Sequence, residues 1–181
     1  LVIMYTQYST QWDSLAHRGA RFDVWGDGNP QAVDYNGFPA KESLQVDAEQ
    51  NTYAHALGIQ HMAKHGVQGR AVLVDLFSEF GEFPRKEVGY EDLMRIMKRD
   101  NIVVEPGDIL CLWTGLDQMI MGMAGNPDDS INKACAVLDG FDERLQQWII
   151  DSGVAAIVSD NLAVEAVGKA VGPRGTNLPI H

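Results

Sequence analysis

Gln7, Ser9, Gln11 and Asp13 alternate along the chain, and His17 follows four residues after the aspartate. Alternate residues of an extended segment share a face, so this pattern lines up amide oxygens and a carboxylate on one side of a strand. The apolar run Leu1-Val2-Ile3-Met4-Tyr5 before it reads as a buried strand. Ser14 and the loss of alternation after it predict a bend that brings the His17 imidazole to the Asp13 carboxylate. Those two groups are the usual ligands of first-row metals, and amide oxygens can complete a shell. The same residues also read as a polar strand face with an aspartate turn and a surface histidine. Spacing alone favours that plainer reading.

The stretch Gln7-Tyr8-Ser9-Thr10-Gln11-Trp12-Asp13-Ser14-Leu15-Ala16-His17 resembles, without a gap, the signature His-x-Gly-Thr-His-x-Asp-x-Pro-x-His. That signature belongs to a cyclase family that includes bacterial kynurenine formamidase and isatin hydrolase. Thr10, Asp13 and His17 match it. Gln7 and Gln11 stand where the family has histidines, Ser9 where it has glycine and Leu15 where it has proline. The resemblance reverses the preference drawn from spacing: it implies that Asp13 and His17 are metal ligands, with Gln11 a further candidate. Gly69-Arg70-Ala71-Val72-Leu73-Val74-Asp75 and the Pro106-Gly107-Asp108 to Thr114-Gly115 passage are similar to family segments too. Leu178-Pro179-Ile180-His181 resembles the Pro-x-His that carries another metal-binding histidine, which makes His181 a ligand candidate. The glutamate that the family places beyond it does not occur in this sequence.

The elements that must position these residues follow from composition and periodicity. Length and balance, 181 residues with 45% hydrophobic and 22% charged, fit a single domain with a real core. A net charge of −11, from 14 basic and 25 acidic residues, speaks against a nucleic-acid or anionic-membrane partner. No run of about 18 apolar residues and no signal peptide is present, so the expected location is the cytoplasm. Cys111 and Cys135 lie in apolar contexts without metal spacing and read as free thiols. Leu1 falls inside an apparent strand and His181 in mid-motif, so the 1–181 domain is expected to be truncated at both ends.

Arg18 to Ala40 is rich in Gly, Asp, Asn and Pro and reads as irregular. Either it covers the metal site, with Trp25 and Tyr35 lining a pocket, or it is a surface loop anchored by its aromatics. Periodicity predicts helices over 47–65, 90–101 and 141–152, and buried strands over 69–76, 109–115 and 154–161. His55, His61 and His65 read as surface residues near a helix end, where positive charge is favoured. Asp75 and Asp160 close two of the strands. Each is either held by a turn or turned toward the site, where Asp160 is a candidate catalytic or positioning residue.

The resemblance implies an α/β fold, a mixed sheet or barrel-like core with flanking helices in a swivelling β/β/α arrangement, in a protein that forms homo-oligomers. It implies a hydrolase that opens an amide, formamide, lactam or lactone of a small, aromatic or cyclic substrate. A divalent metal, Mn or Zn, would be held by Gln11, Asp13, His17 and His181. His17 and Asp160 are then the catalytic candidates, and Trp12, Trp25 and Tyr35 the substrate-stacking ones. Replacement of two signature histidines by glutamine also admits a different class, a binding protein that keeps the scaffold without hydrolysis.

Overall fold

A computed structural model describes residues 3, 11–168 and 176–180. The chain divides into two compact units, one of residues up to Val67 together with Thr176, and one of Gln68–Ala170 with Asn177–Ile180.

In the first unit β1 (Ala20–Phe22) pairs antiparallel with β2 (Gln31–Val33), Ala20 opposite Val33. The loop between them is held by the Asp23 carboxylate, which accepts the N–H groups of Asp27 at 3.0 Å and Gly28 at 2.7 Å. The expectation of an irregular 18–40 segment is therefore corrected: its Asp, Gly and Asn residues are the turn chemistry of a hairpin. A short helix α1 (Ala40–Ser43) leads into β3 (Leu44–Val46), paired antiparallel with β4 (Thr52–Ala54). The helix expected from Asp47 does not start there. Asp47 instead accepts the N–H groups of Glu49 at 3.0 Å and Asn51 at 2.8 Å, offering the backbone a turn in place of helical bonds. Only α2 (Ile59–His65) is helical, and Gly66 ends it at φ 72°, a conformation that favours glycine.

The second unit alternates strands and helices, as the apolar runs predict. It comprises β5 (Ala71–Asp75), α3 (Phe77–Phe80), β6 (Glu87–Val88), α4 (Tyr90–Arg99), β7 (Ile109–Trp113), α5 (Leu116–Gly122), β8 (Val137–Leu138), α6 (Glu143–Ser152) and β9 (Ala156–Ser159). β5, β7 and β9 form a parallel sheet in that order, and β6 pairs parallel with β8. Sheets among the described residues are open and have two or three strands; none closes into a barrel. The mixed α/β class holds and the barrel-like core is not formed by these residues.

Val74, Leu110 and Leu112 on one sheet face pack with Leu93, Ile96 and Met97 of α4 and Leu145 of α6. The α4 residues recur at i, i+3 and i+4, one face of a helix, while Glu91 and Asp92 open it and Lys98 and Arg99 close it in keeping with the helix dipole. On the other sheet face Leu73 is 60% exposed and Val158 39%. Arg70 donates to Asp108 from Nε at 2.9 Å and Nη2 at 2.7 Å, pinning the entry of β5 to that of β7. That guanidinium, with the Glu105 N–H, holds the Asp108 carboxyl below its ordinary pKa. The Gly-Arg and Pro-Gly-Asp segments are thus two halves of one structural clamp.

Asp142 caps α6 by accepting the Arg144 and Leu145 N–H groups at 2.9 and 3.2 Å, and takes the Tyr90 N–H at the start of α4 at 2.7 Å. A Cβ at Gly89 would lie 2.5 Å from that carboxylate, so glycine is what permits the approach. Burial raises the Asp142 pKa, but the three N–H groups and the Arg144 charge outweigh it and leave it lowered. No helix among the described residues is long and apolar enough to cross a membrane.

Candidate metal centre

The turn after Asp13 forms as the sequence predicts. The Ser14 carbonyl accepts the His17 N–H at 2.9 Å, the Ser14 hydroxyl takes the Ala16 N–H at 3.2 Å, and Ala16 is buried beneath the turn. The chain folds back and sets His17 Nδ1 3.7 Å from Asp13 Oδ1. That separation is too long for a hydrogen bond. Two donors that each lie about 2.0–2.2 Å from one ion are less than about 4.4 Å apart, a condition the pair meets. Both side chains are partly open to solvent, 27% for Asp13 and 37% for His17, as an exchangeable ligand position needs.

Gln11 lies on the same segment and is exposed. His181 and Gln7 lie outside the described residues. Among the described residues no three of His, Cys, Asp and Glu gather into a metal-holding group. The pair therefore fits as two donors of a shell and not as a complete one. Trp12, Trp25 and Tyr35 belong to the same unit and stand 47%, 64% and 59% exposed. His61 donates from Nε2 to the His55 carbonyl at 3.1 Å, and His55, His61 and His65 are all exposed, in line with their surface reading.

Asp160 belongs to the second unit, at the end of β9. Oδ1 accepts the Thr114 N–H at 2.6 Å and Oδ2 the Asp117 N–H at 3.3 Å, which locks the turn from β7 into α5. Asp75 is likewise held by a turn, accepting the Ser78 N–H at 2.8 Å. Burial, with the Asp160 and Glu82 charges, pushes the Cys135 thiol up to about 11, so it is no thiolate nucleophile at neutral pH.

Two carboxylates escape a reading of periodicity. Asp34, which follows β2, is buried, and its Oδ2 has no hydrogen-bond partner among the described residues. Its Oδ1 would lie 2.8 Å from a Cβ on Gly19, two residues past His17. Glu165 is 1% exposed in the second unit. Its one sequence signal is a charge set between Val164 and Ala166.

The family described as "Putative cyclase" matches residues 1–166. The chain belongs to this family. It is also similar to a crystal structure described as a novel cyclase, with 27% identity and a TM-score of 0.66 over 90% of this chain. The match covers 48% of that structure's chain, so this sequence spans about half its length. No curated protein matches the sequence. Membership in the cyclase family fits an enzyme.

Proposed function

We propose that this cyclase-family chain contributes to a metal-dependent hydrolase that opens the acyl C–N or C–O bond of a small amide, formamide, lactam or lactone. The observation that carries the reading is the Asp13–His17 pair, folded to 3.7 Å by the Ser14 turn. Asp13 and His17 would hold a divalent ion, Mn or Zn, with Gln11 and His181 as the further donors. Once bound, such an ion supplies a Lewis acid that acidifies water and polarises an acyl carbonyl.

The chain's own residues set the rest. A His17 left free of metal would be the group on this segment to pass a proton to the leaving group. Asp160, with both oxygens committed to backbone N–H groups, acts by holding its turn. The exposed rings of Trp12, Trp25 and Tyr35 offer faces on which a flat substrate stacks. An amide oxygen at Gln11 is a harder donor than imidazole, which favours one ion over two and makes Mn competitive with Zn. The working protein is a homo-oligomer acting on a small molecule.

The test is turnover of N-formyl anilides, aromatic lactams and lactones by the metal-loaded full-length protein and its Asp13→Ala variant. Hydrolysis lost in the variant together with metal supports the reading. A folded, metal-binding protein that turns over none of these compounds favours the scaffold alternative, which Gln7 and Gln11 in place of the signature histidines also motivate.

A further inference from the structure

In the second unit the loop after α3 and the 3-10 turn Asp129–Lys133 are the two walls of an open cavity. Backbone bonds tie the walls together: the Cys135 N–H donates to the Glu82 carbonyl at 2.7 Å and the Val137 N–H to the Lys86 carbonyl at 2.9 Å. Arg85 braces them, donating from Nε to the Ala134 carbonyl at 3.0 Å and from Nη2 to the Ile131 carbonyl at 3.5 Å. Its Nη1 has no acceptor among the described residues, so the guanidinium keeps donors to offer. The cavity has a volume of about 620 Å³ and is lined by Phe83, Pro84, Arg85, Asp129, Ser130 and Lys133. Small-molecule sites span roughly 300–1,000 Å³. The Phe83 ring stands 52% exposed beside it. Ser130 is turned to the Asp128 carboxylate, which accepts its N–H at 2.8 Å. Arg70, Lys86, Arg95, Arg99 and Arg144 of the same unit each lie within ion-pair distance of a carboxylate. Among the described residues of that unit Arg85, Lys98 and Lys133 do not, and two of these three line this one cavity. In a chain of net charge −11, cations left without carboxylate partners and gathered in this way point to an anion from outside.

We propose that this cavity binds a small organic carboxylate, its anion on Arg85 and Lys133 and its apolar body on Phe83 and Pro84. A guanidinium meets a planar carboxylate through parallel N–H donors, and an aromatic ring gives the body of the ligand a flat face. Two cations against the one lining carboxylate, Asp129, suit a single negative charge; a phosphate dianion is repelled more strongly by Asp129 and has no apolar body to place. The site lies within the second unit and does not depend on the Asp13–His17 pair. Opening an amide, lactam or lactone releases a carboxylate, so under the proposed hydrolysis the ligand has the chemistry of the product.

The test is calorimetric titration of benzoate into the full-length protein, with benzamide, its uncharged counterpart, and inorganic phosphate as comparisons. Benzoate should bind about tenfold or more tightly than either comparison, and should bind equally to Asp13→Ala, which separates this site from the metal pair. Arg85→Gln should weaken benzoate about 10–100-fold. Lys133→Met should weaken it about 2–5-fold and Phe83→Ala about 2–10-fold. Should Arg85→Gln not fold, the other two carry the test, because both side chains are exposed. Absence of benzoate binding, its loss in Asp13→Ala, or an affinity that Lys133→Met and Phe83→Ala leave unchanged overturns the site. Phosphate or benzamide bound as tightly as benzoate overturns the assignment of its ligand.

Discussion

The two units use carboxylates in different ways. In the first, Asp23 reaches Asp27 and Gly28, Asp47 reaches Glu49 and Asn51, and Asp13 faces His17, all within five residues along the chain. The second has local turns and caps too, such as Asp75 on Ser78, but adds carboxylates that join segments far apart in sequence: Asp142 reaches Tyr90, Asp160 reaches Thr114 and Asp108 reaches Arg70. The second unit also gathers an apolar cluster from strands and two helices, whereas the described residues of the first form small hairpins in which Val33 and Ala16 are the buried apolar side chains. Local bonds can shape a site without a large core beneath it, while long-range bonds depend on the core that brings their ends together. The Asp13–His17 pair is of the first kind.

That contrast can be broken by substitution. Leu110→Ala in the second unit's core should cost about 2–5 kcal/mol in a denaturant titration. A loss below about 1 kcal/mol would mean that the cluster does not carry that unit. Gly140→Ala, which drives a methyl group into the Glu165 carboxylate, should cost about 1–3 kcal/mol by the same measurement. Asp142→Ala removes a helix cap and should cost about 0.5–2 kcal/mol at neutral pH. Its carboxyl has a lowered native pKa, so the stability it adds is full above the ordinary carboxylate range and is lost as pH falls through the native value. The gap between wild type and Asp142→Ala should therefore close in acid; a gap that widens there contradicts the assignment. The smallest effect belongs to the first unit: Trp25→Ala, at an exposed hairpin tip, should change stability by less than about 0.5 kcal/mol. Raised KM with unchanged stability would place that ring on the substrate.

How much of this was legible in the sequence follows the same division. The strands 71–75, 109–113 and 156–159 and the helices 90–99 and 143–152 are the continuous and periodic apolar segments, because burial of a face imposes a pattern. The bend at Ser14 that joins Asp13 to His17 was legible from a loss of alternation. The β3–β4 hairpin was not, since Ala48, Ala54 and Leu57 mimic helical spacing while Asp47 and Asn51 bond the backbone into a turn. Asp160 was legible only as one of two readings, held by a turn or turned toward the site, because its partners Thr114 and Asp117 lie on another segment. The burial of Glu165 was hidden for the same reason: Gly140, which makes room for it, and Ile180, whose N–H it accepts, are brought to it by the fold.

The most direct test of the central claim is elemental analysis of the full-length protein as purified, beside its Asp13→Ala variant. The account predicts close to one equivalent of Mn or Zn per chain in the wild type and its loss in the variant. A wild type that holds neither ion even after incubation with each, or a variant that retains the metal in full, contradicts it.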